Sequence, residues 1–219
     1  VDDYRFGHPL VRQLLVSRLT AEARAELHVR IARALASDPK SGALSLEIAH
    51  HLWVAPESDL PLLRDHARRG ADHAFQVFAY NQAARMYAMA AQCAEKITGT
   101  APVELAELHY LSGRAYQHDY DYTTCLQQYE RSMRAYREAG DLVGEAKVLR
   151  EKTRVLLTAA TSYGQRIDLT DQERVLALLG EREPGVRGML LEVMSQVHWT
   201  CRDTERAKAL ASEALTLAS

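Results

Sequence analysis

Nothing in this sequence is built to cradle a phosphate or to carry a catalytic nucleophile. No GxxxxGK[ST] loop, no GxGxxG turn and no GxSxG elbow occurs, so the segment has neither a phosphate-binding loop nor an activated serine of its own. Cysteine is scarce. Cys93, Cys125 and Cys201 are odd in number, far apart and form no CxxC pair, which excludes a disulfide framework and a zinc knuckle and suits a reducing, cytoplasmic setting. No apolar run approaches the roughly 18 residues of a membrane span, and the start VDDYRF has neither a basic n-region nor an apolar h-region, so no membrane partner is expected. An excess of either charge is also missing. With 27 basic and 29 acidic residues the formal charge is −2, too little to create a cationic field for nucleic acid, and DNA contact is expected only through a domain outside this segment.

The remaining composition, 47% hydrophobic and 26% charged, is that of a globular protein. Six prolines and eleven glycines fall mostly between apolar-periodic runs, which predicts helix, short turn, helix. Thr20 stands before AEARAELHVRIARAL, where Ala23, Leu27, Ile31, Ala34 and Leu35 recur at helical spacing behind a hydroxyl cap, predicting a helix over 21–36. A second is expected over 45–54 and a third from about Leu60. Only the opening differs: YRFGHPLVRQLL, residues 4–15, reads as a short β-strand running into an amphipathic helix. Because Val1 stands in mid-motif, the chain reads as a segment of a longer protein.

From about Leu62 the chain repeats. Small residues at Ala71, Gly113, Thr153 and Ser195 lie near the middle of successive first helices, at intervals of 42, 40 and 42. Twelve positions later come Ala83, Cys125 and Ala207, then Tyr87, Tyr129 and Ala211, and then Ala90, Ser132 and Ala214. Small residues at these places let antiparallel helices cross closely, and the aromatics fill the gap to the next hairpin. The third unit departs from the pattern. After Leu157 a stretched connection, TAATSYGQRIDL, is expected before a new helix at Thr170-x-x-Glu173, a capping-box spacing.

This pattern resembles the tetratricopeptide repeat, most clearly in LSGRAYQHDYDYTTCLQQYERSM, with a period of about 41 where roughly 34 is usual. The resemblance covers about residues 62–219. It implies an all-α fold, a right-handed superhelix of antiparallel helix pairs, with residues 59–219 an arm of about four units, the third irregular; residues 1–58 are expected to form a short N-terminal strand and linking helices, which the opening's own resemblance makes a winged-helix remnant. The opening resembles the end of the winged-helix domain in signal-transducing ATPases with numerous domains, the STAND class. The matching residues are Arg5, Phe6, His8, Leu10, Val11 and Arg12, then Arg24, Leu27, His28, Ile31, Ala32, Ala34 and Leu35. In related switches a histidine at the place of His8 lies near the nucleotide phosphates, and the acidic residue that follows it there is Pro9 here. The resemblance thus makes His8 a candidate nucleotide sensor, beside the plainer reading of a histidine bonded across a strand–helix junction.

In tetratricopeptide arrays the first helix of each unit lines a concave groove. Counted from the small residues, the resemblance places there Asp65, Arg68, Asp72, Phe75 and Gln76; Glu107, Tyr110, Arg114, Gln117 and His118; Lys147, Arg150, Arg154, Leu157 and Thr158; and Met189, Glu192, Gln196, Trp199 and Thr200. The candidates for binding a partner or effector are Arg68, Phe75, Tyr110, Arg114, Lys147, Arg150, Arg154 and Trp199. Guanidinium groups take carboxylate or phosphate bidentately and aromatics add contact area, so an acidic peptide or small anionic effector is the expected ligand, against the alternative of a solvated polar face. Tyr80, Tyr87, Tyr122 and Tyr129 are expected to be core. Glu47-x-x-His50, with His51, has the spacing of half a di-iron site, but no second Glu-x-x-His occurs, and no metal is expected.

These readings converge on a non-catalytic sensor or protein-interaction arm of a multidomain ATP-dependent regulator resembling large LuxR-type transcription activators. That resemblance implies an upstream domain binding ATP or ADP, no cofactor in this segment, and contact with the rest of its own chain. The alternatives are the same arm attached to a nucleotide cyclase or protein kinase, or a plain interaction scaffold. No adjacent nucleophile, base and oxyanion donor can be assembled, so catalysis by this segment is not expected.

Overall fold

The computed structural model describes residues 9–38, 42, 44–55, 59–163 and 167–218. Among these there is no strand, and eleven helices follow one another: α1 (Pro9–Ser17), α2 (Ala21–Ala36), α3 (Ser45–Trp53), α4 (Leu60–Gln76), α5 (Tyr80–Lys96), α6 (Pro102–His118), α7 (Tyr122–Ala139), α8 (Leu142–Tyr163), α9 (Thr170–Leu179), α10 (Pro184–Thr200) and α11 (Thr204–Ala218). The expected strand before Pro9, and His8 with it, lie outside the described residues. The helices stack in sequence order as antiparallel pairs, α4 with α5, α6 with α7, α8 with α9 and α10 with α11, giving a helical-repeat superhelix.

Capping explains where the helices begin. The side chains of Thr20, Asp59, Asp121 and Asp141 accept the backbone N–H of Ala23, Leu62, Thr124 and Gly144, at 3.2, 3.0, 3.1 and 2.8 Å, satisfying donors that a first turn leaves open. Side chains at the crossings explain how the helices pack. Ala71, Ala83 and Ala90 are wholly buried. Ser112 donates to the Ala84 carbonyl at 3.2 Å, Ser132 to that of Ala106 at 2.7 Å and Ser195 to that of Ala207 at 2.8 Å, so hydroxyls tie neighbouring helices through their backbones. One core runs from Ala32 and Ile48 through Ala67 and Ala91 to Ala115, and a second from Ala106 through Tyr129 and Val148 to Leu190. The linking helices α2 and α3 thus share a core with the first unit.

Unit three corrects two expectations. α8 does not end near Leu157 but continues to Tyr163, because the first helix breaker after it is Gly164. The capping box at Thr170 does not form. Asp168 accepts both the backbone N–H and the hydroxyl of Thr170, at 3.0 and 2.6 Å, and starts α9 from outside it.

Candidate functional site

The first helices of units two and three, α6 and α8, place their one-sided polar residues around a concave cavity of about 760 Å³, lined by Tyr110, Arg114, Gln117, His118, Glu151, Arg154, Leu157, Thr158 and Gln196. Tyr110, Arg114 and Arg154 are thereby brought together. The Arg114 guanidinium lies over two rings, 5.5 Å from the centroid of Phe75 and 5.8 Å from that of Tyr110, a cation–π arrangement that orients it without neutralising it. Neither Arg114 nor Arg154 has a carboxylate partner among the described residues, whereas the cations beside them do. Lys147 sits 4.1 Å over the Tyr110 ring and 3.4 Å from Glu107, and Arg150 is held 3.3 Å from Glu151 and 3.7 Å from Glu192.

The aromatic floor is fixed by hydroxyl contacts to groove side chains. Tyr87 donates to Asp72 at 2.6 Å, Tyr129 to Gln117 at 2.7 Å and Tyr136 to Glu107 at 2.7 Å. Burial pushes the Tyr110 phenol up to about 12, so it stays a neutral donor. Tyr87 and Tyr129 are core, as expected, whereas Tyr80 and Tyr122 are only half-buried. Tyr80 stacks on His118 with centroids 4.7 Å apart.

The other candidates are spread around this centre. Arg68 is exposed in α4 and does not line the cavity. Trp199, 63% exposed, borders a separate, more apolar hollow of about 490 Å³ together with Leu157 and Ala211. Arg150 faces another apolar hollow of about 570 Å³ along α10 and α11, beside Met189 and Leu215.

Sequence reasoning missed one cluster entirely. Glu145, in the first turn of α8, is fully buried, and its Oε1 accepts Arg137 Nε and Nη2 at 2.9 and 2.6 Å and also Arg174 Nη2. Asp171 shares both arginines. This clamp joins α7, α8 and α9, and bonding to Glu145 raises the Arg137 pKa further. Its only sequence signal is a glutamate on the apolar face of α8, beside Ala146 and Leu149.

The histidines make local contacts. His28 and His51 bring their Nδ1 atoms within 2.7 Å, so one carries the shared proton. Burial, followed by the neighbouring His51 and His50, lowers the His28 pKa. Among the described residues no three His, Cys, Asp or Glu side chains converge as metal ligands, and no helix is long and apolar enough to cross a membrane. Burial pushes the Cys125 thiol up to about 12, which makes it an inert packing residue.

No protein-family model matches this chain, and no curated protein sequence does. Among solved structures it is similar to BtubC (BKLC) from P. vanneervenii, with a TM-score of 0.59 over 96% of this chain and 91% of that one, at 16% identity. At that identity the likeness shows a shared helical fold alone. The fold and groove together define the class as an all-helical repeat array.

Proposed function

We propose that this chain is the non-catalytic sensor arm of a multidomain ATP-dependent signalling or transcriptional regulator, and that its concave groove takes an acidic peptide or a small anionic effector. The observation that carries the ligand class is that Arg114 and Arg154 line one cavity and neither is ion-paired to a carboxylate among the described residues. An incoming carboxylate or phosphate would gain charge-assisted hydrogen bonds of about 1.5–3 kcal/mol each, with the amides of Gln117 and Gln196 as neutral donors nearby. Gln117 is already oriented by Tyr129.

What supports the wider setting is the match of the sequence around His8 and along α2 to the end of the winged-helix domain of signal-transducing ATPases. In this reading ATP and ADP bind upstream, DNA is contacted by another domain, and the arm biases the nucleotide switch because ligand favours one of its orientations. The test is a titration of the full-length protein with ATP and ADP, comparing wild type with His8→Ala. ATP binding together with weakened ADP retention in the variant supports the switch. Absence of nucleotide binding removes it and leaves a protein-interaction scaffold.

A further inference from the structure

The turn between the two helices of a unit closes in the same way three times. Ala79 N–H bonds the Ala74 carbonyl at 2.8 Å, Asp121 N–H that of Tyr116 at 3.0 Å and Asp203 N–H that of His198 at 3.0 Å. This is the Schellman closure, and it forces the residue before the donor into the left-handed region, where glycine or asparagine is the usual occupant. Gly140 obeys that rule with φ 69° in the same closure after α7, whereas Phe78 and Tyr120 break it with φ 64° and 63°. A bulky aromatic there is strained. Packing does not account for it, because the two side chains are 76% and 78% exposed. Among the described residues, the ring of Phe78 meets that of Tyr80 edge-on at 6.1 Å, and the ring of Tyr120 that of Tyr122 at 6.3 Å.

The two turns adjoin. Asn81 donates to Asp119 at 2.7 Å, and Tyr80 stacks on His118. One rim of units one and two thus presents Phe78 and Tyr120 at equivalent places. Its charge is opposite to that of the groove: residues 76–81 and 117–124 contain Asp119 and Asp121 and no lysine or arginine. In unit four the equivalent position is Arg202, with φ 63°, so that unit adds no aromatic to the pair.

We propose that this rim docks a proline-rich segment of a partner protein that carries basic side chains. Exposed aromatic faces are what pyrrolidine rings pack against, and a polyproline II helix arrives already ordered, so little entropy is lost. Its turn of three residues rises about 9 Å, and the Asn81–Asp119 hydrogen bond and the Tyr80–His118 stack hold the two turns side by side, so a single extended segment can cross both. Prolines along one face of that helix pack on Phe78 and Tyr120, while a basic side chain between them reaches Asp119 and Asp121. The strain at the two aromatics is the cost of holding them outward for the partner.

The proposal is independent of what the groove binds. The test is fluorescence polarisation on the purified chain, using a labelled arginine-flanked polyproline peptide and a companion in which alanine replaces proline. The proline peptide should bind wild type, and the alanine peptide at least about tenfold more weakly. Phe78→Asn and Tyr120→Asn should each weaken the proline peptide about tenfold with no fall in unfolding temperature, since asparagine tolerates the left-handed region. Arg114→Ala should leave this binding unchanged. Full affinity in both asparagine variants, equal affinity for the two peptides, or no binding of either would overturn it.

Discussion

Gly113 sets the distance between α6 and α7. A Cβ built there would lie 2.6 Å from ring carbons of Tyr129, and that ring is fully buried and tied to Gln117 through its hydroxyl. Gly113→Ala is therefore expected to lose about 2 kcal/mol through overpacking, read as a lower urea midpoint; an unchanged midpoint would mean that the hairpin can open at no cost. Phe78 carries the opposite expectation. Its exposed ring sits at positive φ, so Phe78→Gly should gain about 1 kcal/mol in the same measurement. The crossing residues were legible in the sequence, because Ala71, Gly113 and Ser195 recur at nearly constant spacing and small size has one structural use there. The left-handed aromatics were not, because sequence rules expect glycine at such turns and neither Phe78 nor Tyr120 announces itself.

Between elements, buried polar groups decide how helices are joined. Glu145 draws an arginine from α7 and another from α9, and removing the carboxylate leaves both guanidinium groups without their buried partner, with only the more exposed Asp171 to share. Glu145→Ala should lose about 3 kcal/mol, the lower end for a broken buried pair because the arginines reach solvent; a loss well under 1 kcal/mol in thermal unfolding would show that the clamp is incidental. His109 in α6 is buried between α5 and α7, with Nδ1 2.8 Å from Gln128 Oε1 and Nε2 3.3 Å from Glu95. Burial lowers its pKa below the ordinary 6.5 and outweighs the bond to Gln128 and the attraction of Glu95. The unfolded chain therefore binds the proton more readily, and stability falls as pH drops below about 6.5 toward the depressed folded value. His109→Gln should flatten that part of the stability–pH curve, and an equally steep slope in the variant would assign it elsewhere, for instance to His28 or His66, which burial also lowers. Neither contact was legible. A charged residue reads as surface until its partners, which come from other helices, are known. α8 ran past Leu157 for a related reason: residues 158–163, TAATSY, hold neither glycine nor proline and support either helix or loop, so the sequence alone does not choose.

At the scale of the whole chain, the superhelix gathers polar residues from separate units onto one concave face, and the residues that line its central cavity come almost wholly from the positions that the repeat register marks. Glu151 is the exception, since it lies one residue beyond the groove position of Arg150 and enters by pairing with it. The register was legible because period and small residues agree. The division of the groove was not, since it depends on which cations are neutralised: Lys147 and Arg150 by Glu107, Glu151 and Glu192, and Arg114 and Arg154 by none of the described carboxylates. Ligand charge should therefore be read by the second pair. The most direct test is isothermal titration of the purified chain with a glutamate-rich peptide, comparing wild type with Arg114→Ala, Arg154→Ala and Lys147→Ala. The account predicts saturable binding that weakens about tenfold in each of the first two variants and much less in the third. Equal binding by all four proteins, or none by wild type, would contradict it.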